Sequence, residues 1–163
     1  MISVLLASST PPYMLPDKPV PRWYQREASN AAINYFLEGN TGHPLIVAPT
    51  GCGKTHIIGD LCDQIYTGWP TEPVLLISHN KDILQQDYDT LIKYVPPQLV
   101  GVYSAGLKSR QRNHFTVAGV QSIAKRAQLF SKASLIIVDE AHKIPPSQEG
   151  MYAKVFNAIP DAK

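Results

Sequence analysis

A chain of 163 residues, 44% apolar and 17% charged, is long enough for one domain with a hydrophobic core, hardly for two, and too apolar for disorder. Its net charge of +2 is too small to argue for a nucleic-acid partner by itself. The two cysteines, Cys52 and Cys62, have neither the density of a disulfide framework nor the neighbours of a zinc site, so the expected setting is reducing and cytoplasmic.

In chain order, Ile2–Ala7 is apolar but lacks a basic leader and runs into prolines, unlike a signal peptide. No stretch approaches the roughly 20 apolar residues that span a bilayer. Residues 1–20 are read as a proline-rich arm, with Pro11, Pro12, Pro16 and Pro19, followed by one domain over 21–163. A first helix is expected to begin near Tyr24, with Ala28, Ala31, Ala32 and Tyr35 at helical spacing, and to end at Gly39, Asn40 and Gly42. Thereafter short apolar runs read as buried strands: Leu45–Ala48, Val74–Ile77, Leu99–Tyr103, Phe115–Ala118 and Leu135–Val138. Amphipathic helices fit between several of them, one presenting Ile57, Ile58, Leu61, Cys62 and Ile65, another Ile83, Leu84, Tyr88, Leu91 and Ile92. Alternating strand and helix imply an α/β fold with a mainly parallel sheet and right-handed crossovers.

Chemistry concentrates in two places. Ala48-Pro49-Thr50-Gly51-Cys52-Gly53-Lys54-Thr55 follows one expected strand and opens the next helix. Gly51 and Gly53 let backbone N–H groups turn toward a phosphate, and the helix N-terminus adds a favourable dipole. Lys54 can reach the β- and γ-phosphates, and the Thr55 hydroxyl can ligate Mg²⁺. Asp139-Glu140-Ala141-His142 follows the run Leu135–Val138. A carboxylate there, Asp139, can hold the nucleotide's Mg²⁺, and Glu140 can orient and deprotonate an attacking water. Cys52 reads as a small filler of the phosphate loop and Cys62 as helix core.

Together these motifs resemble the first RecA-like domain of the DEAH-type superfamily 2 helicases and translocases, in which Ala for the first Gly of the loop is common. Pro21-Arg22-Trp23-Tyr24-Gln25 resembles that family's adenine-reading motif. The resemblance implies that Gln25 bonds the adenine edge while Arg22 or Tyr24 packs near the base. Ser78–Gln86, with Lys81, and Thr116–Ser122, with Thr116, Gln121 and Ser122, are similar to the family's nucleic-acid motifs; His142 carries over as a coupling residue. Tyr103–Lys108 and Val120–Ala124 bring the likeness closer to RadD-type repair helicases, phage UvsW-like helicases and the motor subunits of type III restriction enzymes. The implied function is an ATP- and Mg²⁺-binding half of a nucleic-acid motor, with DNA the expected strand and RNA left open.

Two alternatives stand beside it: a non-hydrolytic nucleotide- or partner-binding module, and the motor subunit of a restriction or remodelling complex. The basic stretch Lys108–His114 reads either as a phosphate-tracking loop or as a solvated one. Family members continue with a further strand, placed between the phosphate-loop strand and the acidic-motif strand, and with a second RecA-like domain that supplies arginine fingers. On that pattern residues 21–163 are expected to form an incomplete domain that hydrolyses ATP only with its second half.

Overall fold

The computed structural model describes residue 15, residues 17–146 and residues 149–163, so most of the expected proline-rich arm lies outside the described residues. Helix α1 spans Trp23–Leu37. Its first turn closes when Gln25 Oε1 accepts the Arg22 N–H at 2.8 Å, and Gly39, at φ 82°, takes the left-handed turn beyond its end. Helix α2 spans Lys54–Gly68 and α3 spans Lys81–Leu91, the latter capped by Asn80 Oδ1 accepting the Asp82 N–H at 2.9 Å. Two shorter helices follow, α4 (Val120–Ile123) and α5 (Met151–Ala158).

Five strands, β1 (Val74–Ser78), β2 (Val100–Ser104), β3 (Ser109–Arg110), β4 (Phe115–Gly119) and β5 (Leu135–Val138), form one sheet in the order β3-β2-β4-β1-β5. Every neighbouring pair is parallel except β2 with the two-residue β3. Strand alternation divides the core between the two faces. Val74, Leu76, Val100, Phe115 and Val117 pack with Leu61, Cys62 and Ile65 of α2 and Leu84 and Leu91 of α3. Leu75, Ile77, Tyr103 and Ala118 pack on the other face with Val120 and Ile123 of α4 and Tyr152 and Val155 of α5. Each fully buried Leu, Ile, Val or Phe contributes about 1.5–3 kcal/mol, so the double-faced burial of β1 and β4 anchors the whole layer.

One expected strand does not form. Leu45–Ala48 takes no regular structure, with Leu45 71% and Val47 86% exposed. A strand needs backbone partners, and this segment pairs with no strand among the described residues. The outer side of β5 is met by one residue: Lys163 N donates to the Ser134 carbonyl and the Lys163 carbonyl accepts the Ile136 N–H, both at 2.9 Å. The sheet therefore holds β1 between β4 and β5 and leaves the loop before α2 outside the ladder. No helix among the described residues is long and apolar enough to cross a membrane.

Candidate functional site

The loop before α2 is shaped by two glycines at φ 80°, Gly51 and Gly53. The left-handed region suits glycine, and Gly53 is also required by crowding: a Cβ there would stand 2.6 Å from Gln25 Nε2. Among the described residues the N–H groups of Gly53, Lys54 and Thr55 find no acceptor, whereas His56 N–H already bonds the Gly53 carbonyl. Three unspent donors at the positive end of a four-turn helix make a cradle for an oxyanion.

Across from the cradle, β5 delivers the acidic pair. Its neighbour β1 fixes the strand end, because the Asp139 N–H donates to the Ile77 carbonyl at 3.0 Å. Asp139 Oδ1 accepts the Glu140 N–H at 2.9 Å, and Oδ2 has no hydrogen-bond partner among the described residues. Burial raises the Asp139 carboxyl above its ordinary value, opposed by that N–H and by Lys54 and Lys143. Glu140 sits at φ 57°, ψ 48°, a left-handed conformation that costs a non-glycine residue on the order of 1 kcal/mol. There its carboxylate meets Lys54 Nζ at 3.6 Å and His142 Nδ1 at 3.1 Å. Lys54, 86 residues before Glu140 in the chain, thus joins Glu140 and His142 in one row of contacts across the mouth of the site. The hydroxyl of Thr55 and the carboxylate of Asp139 are hard oxygen donors, a pair that fits Mg²⁺ drawing its remaining ligands from phosphate and water.

On the other side of the loop lies a pocket of about 260 Å³ between α1 and α2, lined by Pro19, Val20, Arg22, Gln25, the loop 51–53 and His56. Arg22, Tyr24 and Gln25 converge beside it on the loop. Gln25 Nε2 and Tyr24 Oη both donate to the Cys52 carbonyl, at 2.9 and 3.1 Å, and Arg22 Nη1 donates to Tyr24 Oη at 3.2 Å. Gln25 therefore holds the phosphate loop as well as lining the pocket, a role that spacing along the chain could not reveal. Pro49 and Thr50 belong to the same loop, whose turn is closed by the Cys52 N–H donating to the Pro49 carbonyl at 3.3 Å.

A second groove, of about 130 Å³, opens at the carboxyl ends of β1, β2 and β4. Lys81, Gln121 and Ser122 line it together, joined by His79, Asn80 and the turn 104–106. Ser122 Oγ accepts the Ala105 N–H at 2.9 Å and so shapes that turn. Thr116 is not brought into this group. It lies at the opposite end of β4, 3% exposed, its hydroxyl donating to the Asn113 carbonyl at 2.8 Å and accepting the Asn113 N–H at 3.0 Å. Strand direction decides the matter, since only the last residues of a parallel strand reach the carboxyl-end groove. The basic stretch Lys108–His114 runs along the far edge of the sheet, where Arg112 Nη1 donates to the Leu129 carbonyl at 2.7 Å.

Residues 18–163 match the family described as type III restriction enzyme, res subunit. Among curated proteins the chain is similar to UvrABC system protein B of Methanosarcina mazei, 27% identical over 76% of this chain and 18% of that protein. It is also similar to UvrABC system protein B of Herpetosiphon aurantiacus, 30% identical over 51% of this chain and 11% of that protein. Among solved structures it resembles the UvsW helicase from bacteriophage T4, with TM-scores of 0.71 and 0.67 for two structures. The identities are 16% and 18%, over 91% of this chain and 52% and 30% of those chains.

Proposed function

This chain belongs to the type III restriction enzyme res-subunit family, as the first RecA-like domain of a superfamily 2 helicase, and from that premise we propose that it binds ATP with Mg²⁺ and forms half of a motor acting on DNA. The observation that carries the reading is the cradle of unspent N–H groups at α2, with Lys54 3.6 Å from Glu140 beside it. In this reading the N–H groups of 53–55 and Lys54 bind the phosphates, and Thr55 and Asp139 hold Mg²⁺, which when bound neutralises developing charge on the phosphates. Lys54 leaves Glu140 for the phosphates, which frees that carboxylate to take a proton from water. His142, already on Glu140, relays the change toward the carboxyl-end groove. Lys81 and Gln121 meet the strand's phosphates there, beside the turn 104–106.

Hydrolysis in this reading requires a second RecA-like domain. Of the five arginines in the sequence, Arg26 pairs with Asp60, Arg126 donates to Tyr103, and Arg110 and Arg112 lie along the opposite edge of the sheet. Arg22 lines the pocket on the other side of the loop. An arginine brought to the γ-phosphate, typically worth about 10³–10⁵ in rate, must come from outside. The test of the nucleotide site is titration with a fluorescent ATP analogue. Lys54→Ala removes a charge-assisted hydrogen bond and is expected to weaken binding about tenfold to a hundredfold. An unchanged dissociation constant would sink the assignment.

A further inference from the structure

One residue of the pocket between α1 and α2 has no place in the sequence motifs. His56 follows Thr55 directly, lies half-buried, and contributes its ring to the wall that Arg22 and Gln25 also line. Its orientation is fixed from a distant element. Tyr94, three residues past the end of α3 and 1% exposed, places its hydroxyl 3.0 Å from His56 Nδ1. The approach depends on Gly59, one turn further along α2. A Cβ at Gly59 would fall 2.4 Å from the Tyr94 ring, so the ring can lie against the helix backbone only because that side chain is missing. A glycine inside a helix costs about 1 kcal/mol relative to alanine, and this contact is the compensation.

With Nδ1 engaged by Tyr94, the other ring nitrogen, Nε2, has no hydrogen bond among the described residues. When the tyrosine hydroxyl donates to Nδ1, the imidazole proton resides on Nε2 and makes it a donor. The ring is held against the loop: a Cβ on Gly53 would stand 3.4 Å from His56 Cδ2. The pocket it lines includes neither Lys54 nor Thr55, Asp139 or Glu140, the groups assigned to the terminal phosphates and the metal. His56 thus stands toward the other end of the ligand.

We infer that His56 contacts the nucleoside half of the bound nucleotide, donating from Nε2 to a ribose or base acceptor, and that Tyr94 is its positioning residue. The inference rests on the ATP-binding reading above and adds a specificity residue to it. Calorimetric titration of the full chain with ATP and, separately, with inorganic triphosphate distinguishes the two halves of the ligand. His56→Ala is expected to weaken ATP about three- to tenfold and to leave inorganic triphosphate within twofold. His56→Gln, which keeps an N–H donor, should recover part of the ATP affinity. Tyr94→Phe removes only the orienting hydroxyl and should cause a smaller loss, again confined to ATP. Lys54→Ala must weaken both ligands. If His56→Ala and Tyr94→Phe leave ATP binding unchanged while Lys54→Ala weakens it, the inference is wrong and the nucleotide site stands. Equal loss for both ligands in His56→Ala also overturns it, because the histidine would then serve the phosphates or the fold. A wild-type chain that binds neither ligand removes the ATP-binding reading and this inference together.

Discussion

Glu140 is held in a left-handed backbone conformation and gripped by Lys54 and His142, so its carboxylate has a fixed place before any water is activated. Glu140→Gln preserves the shape and removes the basicity. In a protein carrying both RecA-like halves, ATP binding should persist while turnover falls about 10²–10⁴-fold, read by steady-state phosphate release. Turnover within a few-fold of wild type would mean that another group is the base. A different residue governs the response to pH. Asp87 of α3 is 1% exposed, and neither carboxylate oxygen has a hydrogen-bond partner. Burial first, and then the charge of Asp139, push its carboxyl from 3.8 up to about 8. Between those two values the folded chain keeps a proton that the unfolded chain releases. Stability from this group is therefore present at low pH, falls as pH rises through the window, and levels off above about 8. Asp87→Asn should flatten that slope, which is on the order of a few kcal/mol in total, in urea midpoints measured from pH 4.5 to 8.5. An unaltered slope would show that other groups set it.

At the scale of elements, α1 and α2 are joined by a buried polar cluster. Asp60, fully buried, meets Arg26 at 2.9 Å, accepts from Ser29, and accepts from Gln64 at 3.1 Å; Gln64 also donates to Ser29 at 2.9 Å. Removing Arg26 leaves a buried carboxylate without its cation. Because Arg26 is 44% exposed, the cost falls below the usual 3–5 kcal/mol for a broken buried pair, and Arg26→Ala is expected to lose about 1–3 kcal/mol in denaturant unfolding. A loss below about 0.5 kcal/mol would show that water replaces the guanidinium at no cost. Both helices were legible as elements because their apolar faces repeat at helical spacing. Their coupling was not: Arg26 and Asp60 are polar residues, and spacing along the chain carries no signal that they meet. Leu45–Ala48 failed in the opposite way. Its composition matches a buried strand, but composition reports preference, and a strand forms only where another strand supplies its hydrogen bonds.

For the whole molecule, on the proposed reading the cradle, Lys54 and the acidic pair would supply ground-state contacts to a nucleotide, while the arginines are paired, distant or in the pocket between α1 and α2. The 163-residue chain is therefore expected to bind ATP yet release phosphate no faster than its Glu140→Gln variant, with or without DNA. DNA-stimulated turnover well above that background would make the chain a self-sufficient ATPase. The sequence by itself determined the α/β class, the glycine turn that opens α2 and the strand Leu135–Val138 before the acidic pair, because each depends on residues close together in the chain. Burial periodicity and glycine placement are local signals, whereas the strand expected before the loop, Leu45–Ala48, did not form. Only the tertiary structure decided that β1 and β4 are central, that Lys81 and Gln121 share a groove while Thr116 lies at the opposite end of β4, and that Tyr94 meets His56. Those outcomes depend on pairings between segments far apart in sequence. Strand order and the direction of each strand, which no local pattern records, choose which side chains meet.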